Sequence, residues 1–169
     1  RAAAGADLGP RSPGFSVGGT GGGPGPVPLA FDLAPGGSLT FPVRGYEPGT
    51  QRGDRALSAT AEYRVPLALV ERGFRLLPVF LDRVWGDVFA DAGGAWCPGE
   101  CERGFRSAPR RLRPLYSVGA ELGVDATVGY FVGMTLRGGV AVPLSEVSIA
   151  GGMPRRPSPE LYLRFGRSF

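Results

Sequence analysis

From Ala56 onward the chain repeats one pattern that leaves it few ways to fold: apolar and polar residues alternate one by one, segment after segment. Period two places successive side chains on opposite faces of a strand, whereas a helix would need a spacing of about 3.6. Leu57, Ala59, Ala61, Tyr63, Val65 and Leu67 fall on one face, with Ser58, Thr60, Glu62, Arg64 and Pro66 on the other. Val118, Ala120, Leu122, Val124, Ala126 and Val128 alternate in the same way with Ser117, Gly119, Glu121, Gly123, Asp125 and Thr127. A third segment sets Met134, Leu136, Val140, Val142 and Leu144 against Thr135, Arg137, Gly139 and Ala141. The last sets Leu161, Leu163, Phe165 and Phe169 against Tyr162, Arg164, Gly166 and Ser168, with Arg167 out of pattern.

A further strand is predicted over Asp87–Gly93. The apolar run 74–84 before it contains Pro78 and reads as a continuation, a connector or a short helix. Residues 97–114, rich in Arg and Pro, and 151–159 read as loops. In residues 1–40, Gly and Pro crowd together, most densely at 18–26. Glycine lowers order and proline removes a ladder donor, so this part reads as a long loop around one short strand near Phe15–Gly18. The expected fold is therefore all-β, with antiparallel hairpin order. The chain opens on Arg1 and shows no signal peptide, and it is read as a C-terminal piece.

Several function classes fall away. No apolar run approaches the ~18 residues of a membrane-spanning helix. All 19 basic residues are Arg, and they are spread along a chain of net charge +4 without the clustering that nucleic-acid binding needs. With no His and only Cys97 and Cys101 as sulfur ligands, no metal site or cofactor is expected. Glu121 and Asp125 would lie about 13–14 Å apart on one strand face, too far for paired-carboxylate hydrolysis at roughly 5–10 Å. No enzyme is expected.

Alternation alone does not choose between a soluble sheet, whose apolar face turns to a core, and a membrane barrel, whose apolar face turns to lipid. Two details favour the barrel. The apolar faces extend over about 9–12 residues, the length of a tilted membrane strand, against about 5–6 for a soluble one. The opposite faces mix Glu, Asp, Arg and Gly, which suits a narrow wet lumen with paired charges. Tyr116, Tyr130, Phe131, Tyr162 and Phe169 stand near strand ends, where they could form interfacial girdles or ordinary packing. The soluble alternative is a β-sandwich used for binding.

Phe41-Pro42-Val43-Arg44-Gly45-Tyr46 resembles the Val-Arg-Gly-aromatic signature of the BamA/TamA outer-membrane assembly-factor superfamily, the bacterial surface-antigen barrel. Glu62-Tyr63-Arg64-Val65-Pro66-Leu67 and Phe89-Ala90-Asp91-Ala92-Gly93 resemble two strands that follow it in that family, and the chain stops on an aromatic, Phe169. The resemblance covers roughly 41–169, as a signature loop over 41–55 and then about five strands. It implies the C-terminal strands of a transmembrane β-barrel in the bacterial outer membrane, incomplete in this chain. Its partners would be the lipid bilayer, client outer-membrane proteins and other assembly-machinery subunits, and its role protein insertion or translocation. A passive pore or surface antigen is the alternative within the same fold.

The resemblance also assigns residues. Val43, Arg44, Gly45 and Tyr46 would form a loop folded back into the barrel, with Arg44 paired to Asp91 and, as a second partner, Glu62. Phe89 and Gly93 would belong to the motif strand, and Phe165 and Phe169 to the terminal assembly signal. Gly45 would allow either a positive φ or a close backbone approach to the wall. Cys97 and Cys101, in a loop placed at the oxidising cell surface, would form a small-ring disulfide.

Overall fold

The computed structural model describes residues 2–6, 14–19, 39–73, 77–98, 109–129, 131–147 and 157–167. Among these the chain is all strand and turn, without a helix. Four short strands come first: β1 (Ala2–Ala6), β2 (Phe15–Val17), β3 (Leu39–Phe41) and β4 (Gln51–Gly53). Five longer ones follow: β5 (Arg55–Gly73), β6 (Val79–Trp96), β7 (Leu115–Val128), β8 (Val132–Pro143) and β9 (Glu160–Arg167).

Strands β5 to β9 form an antiparallel meander, each paired with the next, and β1 adds antiparallel to β5 at the other edge. Among the described residues β1 and β9 are not paired with each other, so the sheet is open. The run 74–84 resolves into a bend at Leu77 and Pro78 followed by the start of β6; residues 74–76 lie outside the described ones. The β7–β8 hairpin turns through Gly129 at φ 62°, a conformation costly for other residues. Pro66 falls where β5 has no β1 partner, because that pairing ends at Ala59, and a strand without a neighbour tolerates the missing N–H. The ladder to β6 slips just beyond it, between Pro66 and Ala68, and again between Leu69 and Arg72.

The remaining short strands make a second sheet of order β3-β2-β4, with β2 parallel to β3 and antiparallel to β4. It sits on one face of the large sheet, near the Trp96 and Leu115 ends of β6 and β7. There Phe15, Val17, Val43, Tyr46, Ala56, Ala95 and Leu115 bury together as a small core, and Phe41 packs edge-on to Phe15 at 5.6 Å. The face that carries this core is called inner below.

The distribution of burial over the two faces is inverted relative to a soluble sheet. On the inner face the buried residues include Ser58, Asp87, Asp91, Ser117, Glu121, Asp125 and Thr135. On the outer face large apolar side chains stand exposed, among them Tyr63 (69%), Leu122 (60%), Leu161 (83%) and Leu163 (74%). Leu67, Val88, Val118, Leu136, Val142 and Phe165 continue that surface. Its middle is low, because small residues, Gly86, Ala120 and Gly138, sit among the leucines along an apolar depression of about 980 Å³.

The sequence reading and the structure differ at the front of the chain, where β1 and β3 were not expected and the expected loop 41–55 contains the short strand β4. Ala2–Ala6 has neither alternation nor β-branched residues, and it becomes a strand only because the edge of β5 offers a ladder at Arg55–Ala59.

Candidate functional site

The site forms where the 42–50 segment turns down onto the inner face. Gly18 N–H donates to the Phe41 carbonyl at 3.1 Å and Gly19 N–H to the Tyr46 carbonyl at 2.7 Å, which ties the segment to the end of β2. Gly45 takes φ 86°, and a Cβ there would stand 3.2 Å from that of Ala141. The position therefore asks for both the left-handed backbone and the close approach. Val43 lies above Gly93, where a Cβ would come within 2.7 Å of a Val43 methyl. The Tyr46 hydroxyl donates to the Tyr116 carbonyl at 2.7 Å and accepts from Ser145 N–H at 2.9 Å, bridging β7 to the segment after β8.

Between these two apolar anchors Arg44 points into the wall, with 6% of its surface exposed. Its Nε donates to Asp91 Oδ2 at 2.7 Å and its Nη2 to Asp91 Oδ1 at 2.8 Å, a bidentate pair. Its own backbone N–H adds a bond to Asp91 Oδ2 at 3.2 Å. Nη1 donates to Glu121 Oε1 at 2.9 Å, and Nη2 lies 3.0 Å from Glu62 Oε1. The guanidinium also stacks on Phe89, 3.4 Å from the ring centroid.

This arrangement follows from register. Thr60, Asp91 and Ser117 form one cross-strand row, and Glu62, Phe89 and Gly119 form the next. Glu121 falls one row further, opposite Asp87. Gly119 has no side chain, so the Phe89 ring lies across β7; a Cβ there would collide with the ring and with the Val140 carbonyl. The ring in turn supports Arg44. A planar fork of five donors is the side chain that can serve three carboxylates and an aromatic face at once.

Burial disfavours the charge on Arg44, but the hydrogen bonds and attraction of Asp91 and then Glu121 outweigh it and raise its pKa above the ordinary arginine value. Asp91 and Glu121 are closed off, with side-chain exposures of 2% and 1%, while Glu62 keeps 27%. One cation thus bridges three carboxylates that would otherwise repel one another, and offsets part of their charge.

Further along the inner face the same motif of arginine over aromatic recurs. Arg64 and Arg137 both lie over Trp85, at 4.0 and 5.0 Å from the ring centroid. Arg64 Nη2 reaches Asp87 Oδ2 at 3.4 Å. Arg83 Nε donates to Asp125 Oδ2 at 2.7 Å, and Thr135 Oγ1 to Asp125 Oδ1 at 2.7 Å. The inner wall is a ladder of compensated charge.

Of the residues singled out from sequence, Arg44, Asp91, Glu62 and Phe89 converge on one point, and Val43, Gly45, Tyr46 and Gly93 seat the segment around it. Phe165 lies on the outer face of β9, remote from the site and 49% exposed; Phe169 and Tyr130 lie outside the described residues. Cys97 is buried and disulfide-bonded, and Cys101 lies outside the described residues. Two contributors went unassigned. Glu121 was read only as a polar-face charge, and its contact with Arg44 depends on a register that no single strand reveals. Tyr162, weighed as a girdle residue, instead donates its hydroxyl hydrogen to Glu121 Oε1 on the inner face. Its place on the polar side of the alternation was the signal for that.

Among the described residues no group of His, Cys, Asp and Glu could hold a metal ion. The chemistry available at Arg44 is recognition and fastening. No family model, no curated protein and no solved structure matches the chain.

Proposed function

We propose that this chain supplies the C-terminal strands of an outer-membrane β-barrel of the BamA/TamA type, and that the protein assists insertion or translocation of other outer-membrane proteins. The observation that carries the reading is the inverted sheet: ionised groups buried on one face, and Tyr63, Leu122, Leu161 and Leu163 exposed on the other. In water the exposed leucines would be a standing liability of the kind that drives association. In a bilayer they face a matching solvent, and the inner charges remain paired in a wet lumen. Strands of 19, 18, 14 and 12 residues in β5 to β8 exceed the ~9–11 that a tilted span requires, so they can cross and project beyond the headgroups.

In this reading the open edges of the sheet are closed by strands from elsewhere, because unpaired backbone groups in hydrocarbon cost several kcal/mol each. The 42–50 segment is a loop folded into the lumen, and Arg44 is its anchor. The work is done by binding and by strand exposure, without a covalent step.

The test uses the full-length protein. It should fractionate with outer membranes, migrate differently on gels before and after heating, and, reconstituted in liposomes, speed the folding of a urea-denatured barrel substrate. A protein that is monomeric and stable in buffer without detergent would overturn the membrane reading. Membrane residence without acceleration of folding would leave a passive pore instead of an assembly factor.

A further inference from the structure

We infer that Tyr162 is a positioning residue that couples the seat of the Arg44 segment to the pairing of the final strand, β9. The inference rests on the reading of Arg44 as a loop anchor and adds a device to it.

Tyr162 stands opposite Gly139 in the β8–β9 ladder, and Gly139 stands opposite Glu121 in the β7–β8 ladder. The three positions form one row across the inner face. Because the middle one is glycine, the tyrosine side chain can cross β8; a Cβ at 139 would stand 2.9 Å from Tyr162 Cζ and 2.8 Å from Glu121 Cγ. The hydroxyl then donates to Glu121 Oε1 at 2.5 Å. That same oxygen accepts the Arg44 Nη1–H at 2.9 Å. One carboxylate oxygen therefore receives a donor from the last strand and a donor from the loop.

The consequence is a linkage. With β9 paired, the tyrosine hydroxyl fixes the Glu121 carboxylate in the rotamer that meets Arg44. If β9 peels from β8, that donor leaves and Glu121 is free to turn away, so the loop loses one of its fastenings. Coupling free energies are reciprocal, so a seated loop must also favour the paired state of β9. Hydrogen bonds to a charged acceptor are strong enough for such a link to be measurable.

The test follows departure of the loop through Val43→Cys, whose parent side chain is 0% exposed and becomes reachable only when the segment leaves the wall. Full-length protein in membranes, without reductant, is labelled with a membrane-impermeant maleimide. Y162F keeps the ring over Gly139 and removes only the donor. It should raise the labelling rate roughly tenfold. In an E121A background, which removes the shared acceptor, Y162F should change the rate by less than about twofold, because the tyrosine acts through that carboxylate. Reciprocally, R44K should speed amide exchange in β9.

Parental labelling by Y162F in a protein where R44A labels fast would overturn the coupling and leave the anchor standing. Parental labelling by R44A as well would remove the anchor and the coupling together. Should Y162F fail to assemble, the β9 exchange of R44K decides, and an unchanged rate there refutes the linkage.

Discussion

Replacing Arg44 by Ala tests most directly whether the ionic site, rather than the apolar contacts beside it, holds the segment down. The substitution removes the fork that serves Asp91 at 2.7 and 2.8 Å and Glu121 at 2.9 Å, and it leaves the backbone N–H to Asp91 in place. Two carboxylates with side-chain exposures of 2% and 1% then lack their counter-ion. Removing one partner of a buried pair costs about 3–5 kcal/mol, chiefly the penalty of the charge left behind. Glu62 adds little, because at 27% exposure water already screens it.

That penalty falls on the seated state, since an open loop lets water reach the carboxylates. The opening equilibrium should therefore shift by about two to three and a half orders of magnitude. Hydrogen exchange of the amides in 43–53, followed by mass spectrometry on protein in detergent or nanodiscs, reads this shift directly, because these amides exchange through local opening. Lys at 44 keeps the charge but can serve only one carboxylate well, and about 2 kcal/mol should be lost. The expected order of protection is parent, R44K, R44A. If R44A exchanges within about threefold of the parent, the carboxylates left behind impose no penalty on the seated state, and the ionic argument is wrong.

Four further outcomes follow from the same geometry. G119A drives a methyl into the Phe89 ring and the Val140 carbonyl and should lower stability by about 1–3 kcal/mol, seen as an earlier urea midpoint, while an unchanged midpoint would mean that both the ring and the β8 backbone give way. L122R, at the centre of the outer face, should cost about 2–4 kcal/mol in a bilayer but stay within about 0.5 kcal/mol in a water-exposed sheet, so comparative urea titration discriminates the two settings. Y46F leaves the Ser145 N–H without its acceptor, while the Tyr116 carbonyl keeps the Leu144 N–H at 2.8 Å, a loss of about 1–3 kcal/mol that should show as faster exchange at Ser145. Deleting Phe169 should reduce the yield of heat-modifiable protein in the outer membrane, and unchanged assembly would argue against a terminal aromatic signal.

How much of this was legible in the sequence differs from element to element. Strands β5, β7, β8 and β9 could be read because alternation is a direct print of the pleat, and both faces of each are chemically distinct. Alternation by itself does not give the direction of those faces, since Leu122 alternates with Glu121 in the same way whether leucine points to a core or to solvent; strand length and the mixed charges of the opposite face were the signals for an outward apolar face. Arg44, Asp91 and Glu62 were found through a motif resemblance, and the structure places the three within hydrogen-bonding distance. Glu121 and Tyr162 were missed as partners because their meeting needs the β7–β8 and β8–β9 registers together with a glycine at 139. Strands β1, β3 and β4 were missed because their few residues are ordered by a neighbour's edge rather than by their own propensity.

The site divides its physical work between two kinds of contact. Val43 and Tyr46 bury completely in a small core with Phe15, Val17 and Leu115, and such burial is favourable over a range of positions, because apolar contact has little directionality. Alone it would hold the segment near the wall without choosing a register. The ionic fork is the opposite case: its net contribution is reduced by the desolvation of three carboxylates and a guanidinium, but it is satisfied only when Arg44 stands between Asp91 and Glu121. Sliding the segment by one residue would turn the guanidinium away and leave those carboxylates unpaired. Apolar contact therefore supplies most of the affinity of the segment for the wall, and the charges supply its position.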